Sequence, residues 1–545
     1  MRFSDFTVCF LLGAVFLYFT FAATTIVPYA HHDQIRYFRE DFGNPELKNN
    51  CYRDVQYQHL YSIGRPITAE LECMTFRNVH TLSDLNLLRI GVILLLAIAL
   101  ALLSLWLISL GISRPVALFL SAAVFTLPGA QNTVFMTNFA NAVAPLLAIA
   151  SSLVMSTSVV DSAPRRGLAN PIKLLLSLLL ILTSFFTYPF LSFFYLVPSI
   201  GNLLFNRQQP WRELRAAFIR DVIFLGVAAL IYFVIVRLWI VPFHQVPYST
   251  AYRVEISIDE YIFQMKLNRL FDQIVFTSFN FWNIYTIRNL SLAIVGSIIA
   301  VLLATIVSPQ KFTSTIAHQI VQRRFVGERA FALCTALLLP NFPWLLSNAT
   351  AMRYRLLFPT TAIALLIFAW SLSYWLTLIS KKLAIDENSL LSITMAGLMI
   401  GGGLLANYNT VQNVWNSNVE VMFIRGALVS HLDRPIHRIH VIKPPNNWLG
   451  YNGLPTIGDE FNRKSLDFSY HTAELVRVAL LGIANAPTNL AIVPCESNQK
   501  QCATDTTMQG RIVVTHSILG EPIYDSKNMV IINMGELVLV GGNRL

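Results

Sequence analysis

Eleven apolar runs, each about twenty residues long, constrain the fold of this chain more than any other feature of its sequence. The hydrocarbon core of a bilayer is about 30 Å thick, and about 20 helical residues span it. A helix also satisfies its own backbone hydrogen bonds in lipid. The sequence therefore predicts a polytopic α-helical membrane protein with about 11 transmembrane helices. The runs occupy residues 6–27, 88–110, 116–135, 139–159, 171–187, 189–205, 222–241, 289–307, 330–347, 356–379 and 389–408.

Composition excludes a water-soluble globular protein. Hydrophobic residues make up 54% of the 545 residues and charged residues only 13%, about half the usual charged fraction. The formal net charge of +10 would favour a nucleic-acid partner in a soluble chain. Here the basic residues occupy short loops between apolar runs. The excess of positive charge therefore indicates how the chain is oriented in the membrane. We expect the lipid bilayer as a partner, and no nucleic acid.

Alternate gaps between the runs carry the basic residues. The positive-inside rule therefore predicts a cytoplasmic N-terminus and an extracytoplasmic C-terminus. The first run is alternatively a signal peptide cut near Ala22 or Ala23, which leaves the same residues outside. The basic residues of these gaps are Arg114, Arg165, Arg166, Lys173, Arg207, Arg212, Arg215, Arg220, Lys311, Arg323, Arg324, Arg329, Lys381 and Lys382.

This orientation places three long segments on the outer face. Two are loops, residues 28–87 and 242–288, within a membrane domain of residues 1–410. The third is the tail, residues 411–545, where charged residues, Asn and Pro become frequent. Its alternating patterns predict an extracytoplasmic α/β domain. The predicted helices cover residues 419–432 and 473–483, and the predicted strands cover residues 439–442, 512–515, 529–532 and 536–540.

Four of the six cysteines fall in the predicted outer segments. Cys51 and Cys73 share the first loop, and Cys495 and Cys502 share the tail. An oxidising compartment would allow two disulfides, Cys51–Cys73 and Cys495–Cys502, although four separate thiols remain an alternative. The cysteine spacings do not match CxxC, and the histidine pairs lack companions at ligand spacing, so no metal site is predicted.

The first outer loop begins with a polar passage from Tyr29 to Asp41. Within the apolar runs Arg237 is the only clear ionisable residue, which argues against an ion-coupled carrier and places the chemistry at the outer surface. Asp33 would lie at interface depth, where partial desolvation raises the proton affinity of a carboxylate and suits it to act as a general base. The alternative is that Asp33 caps a short helix.

A second passage, Arg353-Tyr354-Arg355, directly precedes the tenth predicted span. Two guanidinium groups at this position suit bidentate binding of phosphate oxygens, which lysine cannot reproduce. The alternative is that Arg and Tyr anchor the helix end at the lipid headgroups.

These passages together resemble the type C integral membrane glycosyltransferases, which use polyprenyl-phosphate sugars. The resemblance rests on Asp33, the Gly64-Arg65-Pro66 turn and the entry Arg353 to Pro359, and it extends over the layout of residues 1–380. It is nearest to bacterial O-antigen glucosyltransferase-like proteins. Two departures are notable: a single acid, Asp33, follows two histidines where many relatives have adjacent acids, and the tail after residue 410 is not assigned to a named domain.

The resemblance implies that a sugar moves from a polyprenyl-phosphate donor to a glycan, lipid or protein acceptor outside a bacterial inner membrane. Asp33 would be the catalytic base, and the need for a divalent cation stays open. Donor phosphate would meet Arg353, Arg355 and Arg65. Further sugar or lipid contacts would come from His32, Tyr61, Trp282 and Tyr354, although an interfacial aromatic belt explains the aromatic residues equally well.

Two other function classes remain open at this level. A lipid or polysaccharide exporter or flippase could also use large outer loops and basic residues at the outer ends of its helices. An assembly protein could bind partners through its tail. The transferase hypothesis makes a geometric prediction that the others do not. Asp33 and at least one of Arg353 and Arg355 should line one outward-facing cavity, covered by residues 242–288.

Overall fold

The computed structural model shows a mainly helical protein. The residues that it describes are 3–31, 34, 55–160, 171–206, 209–240, 260–283, 288–307, 316–346, 354–429, 438–442, 469–480, 491–495 and 529–533. The predicted site residues His32, Asp33 and Arg353 lie outside these ranges, as do Cys51 and Cys502.

Eighteen α-helices and three strands are described. The helices up to residue 205 are α1 (Phe3–Thr20), α2 (Ala22–Ile26), α3 (Val55–Ser62), α4 (Pro66–Asn78), α5 (Leu82–Ser109), α6 (Arg114–Val124), α7 (Pro128–Phe135), α8 (Phe139–Val160), α9 (Pro171–Thr187) and α10 (Leu196–Phe205). The later helices are α11 (Trp211–Ile235), α12 (Glu260–Asp272), α13 (Arg288–Val307), α14 (Ile316–Leu338), α15 (Phe342–Leu346), α16 (Tyr354–Leu383), α17 (Glu387–Val429) and α18 (Ser469–Leu480). The strands are β1 (Arg438–Ile442), β2 (Ala491–Cys495) and β3 (Met529–Asn533).

Five of the described helices are long and apolar enough to cross a membrane, or six if the bent pair α6–α7 is one span. Four shorter apolar helices coincide with further predicted runs. The described part of the fold is thus that of a helical protein with five or six candidate membrane spans, as in a helical membrane protein. The five long helices cover Leu82–Ser109, Phe139–Ser156, Trp211–Ile240, Arg355–Leu383 and Glu387–Val429, and the shorter ones cover Ser4–Thr20, Pro171–Thr187, Leu191–Phe205 and Ser291–Leu302.

The main core lies between the apolar helices, where small residues allow close packing. A Cβ on Gly13 of α1 would lie 2.9 Å from the Leu100 side chain of α5, and one on Gly403 of α17 would lie 2.9 Å from Phe16. Helix α1 ends at Thr20, whose carbonyl accepts a hydrogen bond from the Asn407 amide (3.0 Å). The first predicted run, residues 6–27, is therefore two helices, α1 and α2.

The predicted run 116–135 also divides into two helices. Helix α6 ends at Val124, and α7 starts at Pro128 with its axis turned by 62°. Leu127, which precedes the proline, is extended (ψ 157°), as steric conflict with the proline ring requires. Every residue of α7 is buried, so this short helix lies in the centre of the bundle.

Helix α17 is longer than the predicted run 389–408 and continues to Val429. Its 43 residues correspond to about 65 Å, roughly twice the thickness of the hydrocarbon core. The predicted domain boundary at residue 410 therefore falls within a continuous helix. Polar side chains beyond that boundary, including Asn413 and Asn416, are buried against neighbouring elements.

The described part of the tail forms a parallel sheet in the order β2-β1-β3. Helix α18 lies between β1 and β2 in sequence, as a parallel connection requires. Strands β1 and β3 lie where the sequence predicts them, whereas residues 512–515 and 536–540 lie outside the described ranges. The sheet and α18 share a core with the end of α17, which contains Ile439, Leu475, Ile424 and Leu428. The α/β domain as a whole stays a prediction.

The described cysteines leave both predicted disulfides untested. Cys73 is buried in α4, and the free cysteines of the described ranges are Cys9 and Cys334. Because Cys51 and Cys502 lie outside those ranges, the Cys51–Cys73 and Cys495–Cys502 bridges remain predictions.

Candidate functional site

Arg89 of α5 is fully buried and organises the polar cluster nearest to the predicted catalytic passage. Its guanidinium group donates five hydrogen bonds to oxygen atoms from four parts of the chain. A guanidinium carries five N–H donors in a planar fork, so it can bridge segments that no shorter side chain would join. The acceptors are Thr137 Oγ1 (3.0 Å), Thr24 O (3.2 Å), Asn86 Oδ1 (2.7 Å), Tyr29 O (2.9 Å) and Gln34 Oε1 (3.0 Å).

The segment that follows α2 is held between Arg89 and the end of α7. The Arg89 guanidinium lies 3.7 Å from the centre of the Tyr29 ring, and the Tyr29 hydroxyl donates to the Phe135 carbonyl (2.9 Å). The His31 and Phe135 rings pack edge to face, with their centres 4.9 Å apart. Gln34 is buried, and its Oε1 accepts from the His31 backbone N–H (2.9 Å). The described residues on both sides of positions 32 and 33 are therefore fixed.

Tyr29 acts in this cluster as a neutral donor. Burial raises the pKa of its phenol well above the usual value, while the Arg89 cation opposes part of that shift. The hydroxyl therefore keeps its proton at physiological pH, which its bond to the Phe135 carbonyl requires.

The other end of α7 packs directly on α16. A Cβ on Gly129 would lie 2.3 Å from Phe358 Cβ, so only glycine permits this approach. Arg355 lies in the first turn of α16, three residues before Phe358, and is half-buried. Gly129 and Phe135 are separated by about 9 Å along α7. One short helix thus contacts both the His31 segment and the start of α16.

This contact predicts a strong difference between two glycine substitutions. Gly129→Ala should lower stability by about 2 kcal/mol, because α7 and Phe358 must separate to admit the methyl group. Gly226→Ala is the matched control on α11, where a Cβ meets nothing within 4 Å, and it should be neutral or slightly stabilising. Thermal unfolding of the purified protein measures both, and equal melting temperatures would refute the packing described.

Trp282, a predicted sugar contact, is buried beside α7. Its indole N–H donates to Thr126 Oγ1 (2.8 Å), and its carbonyl accepts from the Asn409 amide (3.1 Å). The same amide donates to Gln131 Oε1 (3.2 Å). Trp282 has a φ of 61°, a sparsely populated conformation that this network stabilises. The residue therefore ties the segment 260–283 to α7 and α17.

The described part of the predicted cover also packs beside the start of α16. Lys266 of α12 is buried and donates to the Trp344 carbonyl (2.9 Å), and burial lowers the pKa of its ammonium group. Leu270 and Trp344 share a small core with Leu357, two residues after Arg355. Residues 260–283 thus bridge from α16 to α7.

The Gly64-Arg65-Pro66 turn docks on a different surface. Gly64 has a φ of +78°, and its carbonyl accepts from the Tyr232 hydroxyl (3.0 Å). The Arg65 guanidinium lies 4.1 Å from the centre of the Tyr188 ring, and the Thr68 hydroxyl donates to the carbonyl of Thr187. Tyr188 directly precedes the segment in which Phe190 packs on the core of Leu357. Arg65 therefore lies at one end of a segment whose Phe190 contacts α16 at Leu357.

Tyr61 lies within the α3–α4 hairpin. Its hydroxyl and that of Tyr57 both donate to Glu70 Oε1 (2.9 and 2.5 Å), and burial together with these bonds raises the pKa of Tyr57. The sugar or lipid contact predicted for Tyr61 stays a prediction. Tyr354 begins α16, and its predicted contact also remains untested.

Sequence reasoning missed Arg89, although a signal was present. Arg89 is the second residue of the run 88–110, and an ionisable residue within an apolar span is by default a functional candidate. Its partners could not be foreseen, because they lie 48 to 65 residues away in sequence except for Asn86.

The described residues contain no group of three or more His, Cys, Asp or Glu placed to hold a metal ion. The divalent cation left open by the sequence therefore stays open. The cavity predicted between Asp33 and Arg353 or Arg355 also stays a prediction, since two of these residues lie outside the described ranges.

Comparison with known proteins assigns no identity to this arrangement. No protein-family model matches the chain, and no curated protein matches its sequence.

Proposed function

We propose that this protein transfers a sugar from a polyprenyl-phosphate donor to a glycan, lipid or protein acceptor at the outer face of a bacterial inner membrane. The contact of α7 with two elements carries this proposal. Phe135 packs on Tyr29 and His31, and Gly129 packs on Phe358. The separation along α7, about 9 Å, is comparable to the span of a sugar with its phosphate.

The reaction is a single displacement with inversion. The Asp33 carboxylate takes the proton of the acceptor hydroxyl as its oxygen attacks the anomeric carbon. The bond between that carbon and the phosphate oxygen breaks, and its electron pair leaves with polyprenyl phosphate. The negative charge on the departing phosphate increases by one during the step. Fixed cations around the phosphate therefore lower the activation barrier.

Arg355 is suited to meet that charge. It lies in the first turn of α16, whose N-terminal N–H groups also carry positive partial charge. A cation there is unfavourable for the isolated helix, whereas a bound phosphate would reverse the effect. Arg353 and Arg65 are assigned to the same donor, Arg65 because its turn docks beside the segment that packs on Leu357.

Residues 242–288 are assigned as the cover of the site. Within this range, the segment 260–283 contacts α16 through Leu270 and the linker between α6 and α7 through the bond of Trp282 to Thr126. In this proposal the N-terminus is cytoplasmic, about eleven helices span the membrane, and the tail domain is extracytoplasmic, with disulfides at Cys51–Cys73 and Cys495–Cys502.

Analysis of cell-surface glycans and polyprenyl-linked sugars in a strain without the protein tests the function. The strain should lose one glycan modification and accumulate its lipid-linked donor. Wild-type protein should restore the modification, whereas Arg355→Gln should not. Arg212→Gln, an exposed arginine of α11, is the matched control and should restore it. An unchanged glycan profile in the deletion strain, or full restoration by Arg355→Gln, would contradict the proposal.

A further inference from the structure

A groove on the lipid-facing side of α11 is distinct from the site described above. It has a volume of about 570 Å³ and lies between α11 and Met155 of α8. This feature is called the α8–α11 groove. Its lining residues are Met155, Arg215, Ala216, Ile219, Arg220, Ile223, Phe224 and Val227.

The groove has a cationic end and an apolar end. Arg215 and Arg220 lie in the N-terminal part of α11 with Ile219 between them, and Ile223 and Val227 follow along the helix. These three apolar side chains are 47–60% exposed. An occupant must therefore present an anionic group at one end and a hydrocarbon chain at the other.

The cationic end lies at the depth of lipid headgroups. The apolar part of this candidate span, residues 222–240, is about 28 Å long, which is close to the thickness of the hydrocarbon core. Arg220 lies two residues and Arg215 seven residues before it, about 3 Å and 10 Å along the helix, which corresponds to the depth of the headgroup region. Ile223 and Val227 lie inside the hydrocarbon layer.

Both arginines retain donors for a phosphate. Arg215 donates through Nη1 to Glu328 (3.0 Å), and Arg220 donates through Nε and Nη2 to Asp221 (3.1 and 2.8 Å). Within the described part of the chain, Arg215 Nη2 and Arg220 Nη1 have no acceptor. The Asp221 carboxylate is itself buried and held by the Ser199 hydroxyl (2.8 Å), so Arg220 is fixed in place.

We propose that the α8–α11 groove binds an anionic phospholipid, with its phosphate at Arg215 and Arg220 and an acyl chain along Ile219, Ile223 and Val227. A zwitterionic lipid fits less well, because its ammonium group offers no acceptor to Arg215 Nη2 and Arg220 Nη1, the donors that Glu328 and Asp221 leave open. The site is independent of sugar transfer.

Native mass spectrometry of the purified full chain, with phosphatidylglycerol or phosphatidylcholine added, tests this site. Wild-type protein should bind the first phosphatidylglycerol about tenfold more tightly than phosphatidylcholine, which reflects the charged contacts. Arg215→Gln should remove that preference while phosphatidylcholine binding is unchanged. Ala216→Trp, which fills the groove and leaves both ion pairs intact, should weaken the binding of both lipids.

Arg212→Gln is the matched control, since it removes one positive charge from the same helix outside the groove. It should bind phosphatidylglycerol as the wild type does. Equal wild-type affinity for the two lipids would overturn the proposal, as would equal losses in Arg212→Gln and Arg215→Gln. Unchanged phosphatidylglycerol binding in Ala216→Trp would also overturn it.

Discussion

Replacing Arg89 by methionine is expected to lower the free energy of unfolding by about 3 kcal/mol. Methionine fills a similar length of apolar space but donates no hydrogen bond. The substitution leaves buried carbonyl oxygens of Thr24 and Tyr29 without the donor that they have in the wild type. It also removes the cation that lies over the Tyr29 ring.

Arg89→Lys should recover only part of this loss. A single ammonium group carries three donors at one point, whereas the guanidinium reaches five acceptors spread around its plane. We expect the lysine variant to melt between wild type and Arg89→Met. Thermal unfolding in detergent, followed by loss of tertiary signal, measures the series.

Arg114→Met is the matched control. The Arg114 side chain is 64% exposed and pairs with Asp5 at 3.0 Å, and exposed pairs contribute about 0–1 kcal/mol. Its melting temperature should remain close to wild type, whereas Arg89→Met should melt about 5 °C lower. If Arg89→Met and Arg114→Met have the same melting temperature, Arg89 does not hold the segment that follows α2.

Sequence reasoning placed most helices but not their breaks. The division at Tyr188-Pro189 was predicted, and α9 ends at Thr187. The break between α1 and α2 was not predicted, because it is stabilised by Asn407, nearly 390 residues away in sequence. The division of α6 from α7 had a local signal in Pro128, but the close approach of Gly129 to Phe358 depends on tertiary packing.

In the tail, too, the sequence predicts some elements correctly but not those that depend on contacts distant in sequence. Strands β1 and β3 read clearly as apolar, β-branched runs, whereas Pro494 within β2 concealed that strand. The length of α17 was underestimated because its hydropathy falls after residue 408. Its polar residues are engaged by protein contacts instead: the buried Asn409 amide donates to Gln131 Oε1 and to the Trp282 carbonyl, and the partly exposed Asn418 amide donates to the Pro28 carbonyl.

The sequence supplies candidate site residues by their chemistry, and their roles stay predictions, but it does not reveal the packing around them. Asp33 and the Arg353/Arg355 pair were selected because carboxylates and guanidinium groups suit base catalysis and phosphate binding. The elements that connect their surroundings, Arg89 and α7, depend on long-range contacts. Trp282 was selected as an aromatic residue for stacking, yet its indole N–H and carbonyl are engaged in the network around α7.

Loss of the Asp33 carboxylate is the second large effect expected. Asp33→Asn keeps the size of the side chain but cannot accept the proton of the acceptor hydroxyl, so sugar transfer should fall about a thousandfold. Asp41→Asn is the matched control, because Asp41 lies in the same passage but has no role in the proposed step. Both variants should melt as the wild type does, which separates loss of catalysis from loss of folding.

The most direct test is transfer by the purified full-length protein from a polyprenyl-phosphate sugar, with the anomeric configuration of the product determined by NMR. Wild type and Asp41→Asn should form a glycoside of inverted configuration and release polyprenyl phosphate, while Asp33→Asn should form almost none. Wild-type turnover by Asp33→Asn, or a product that retains the donor configuration, would contradict a single displacement with Asp33 as its base.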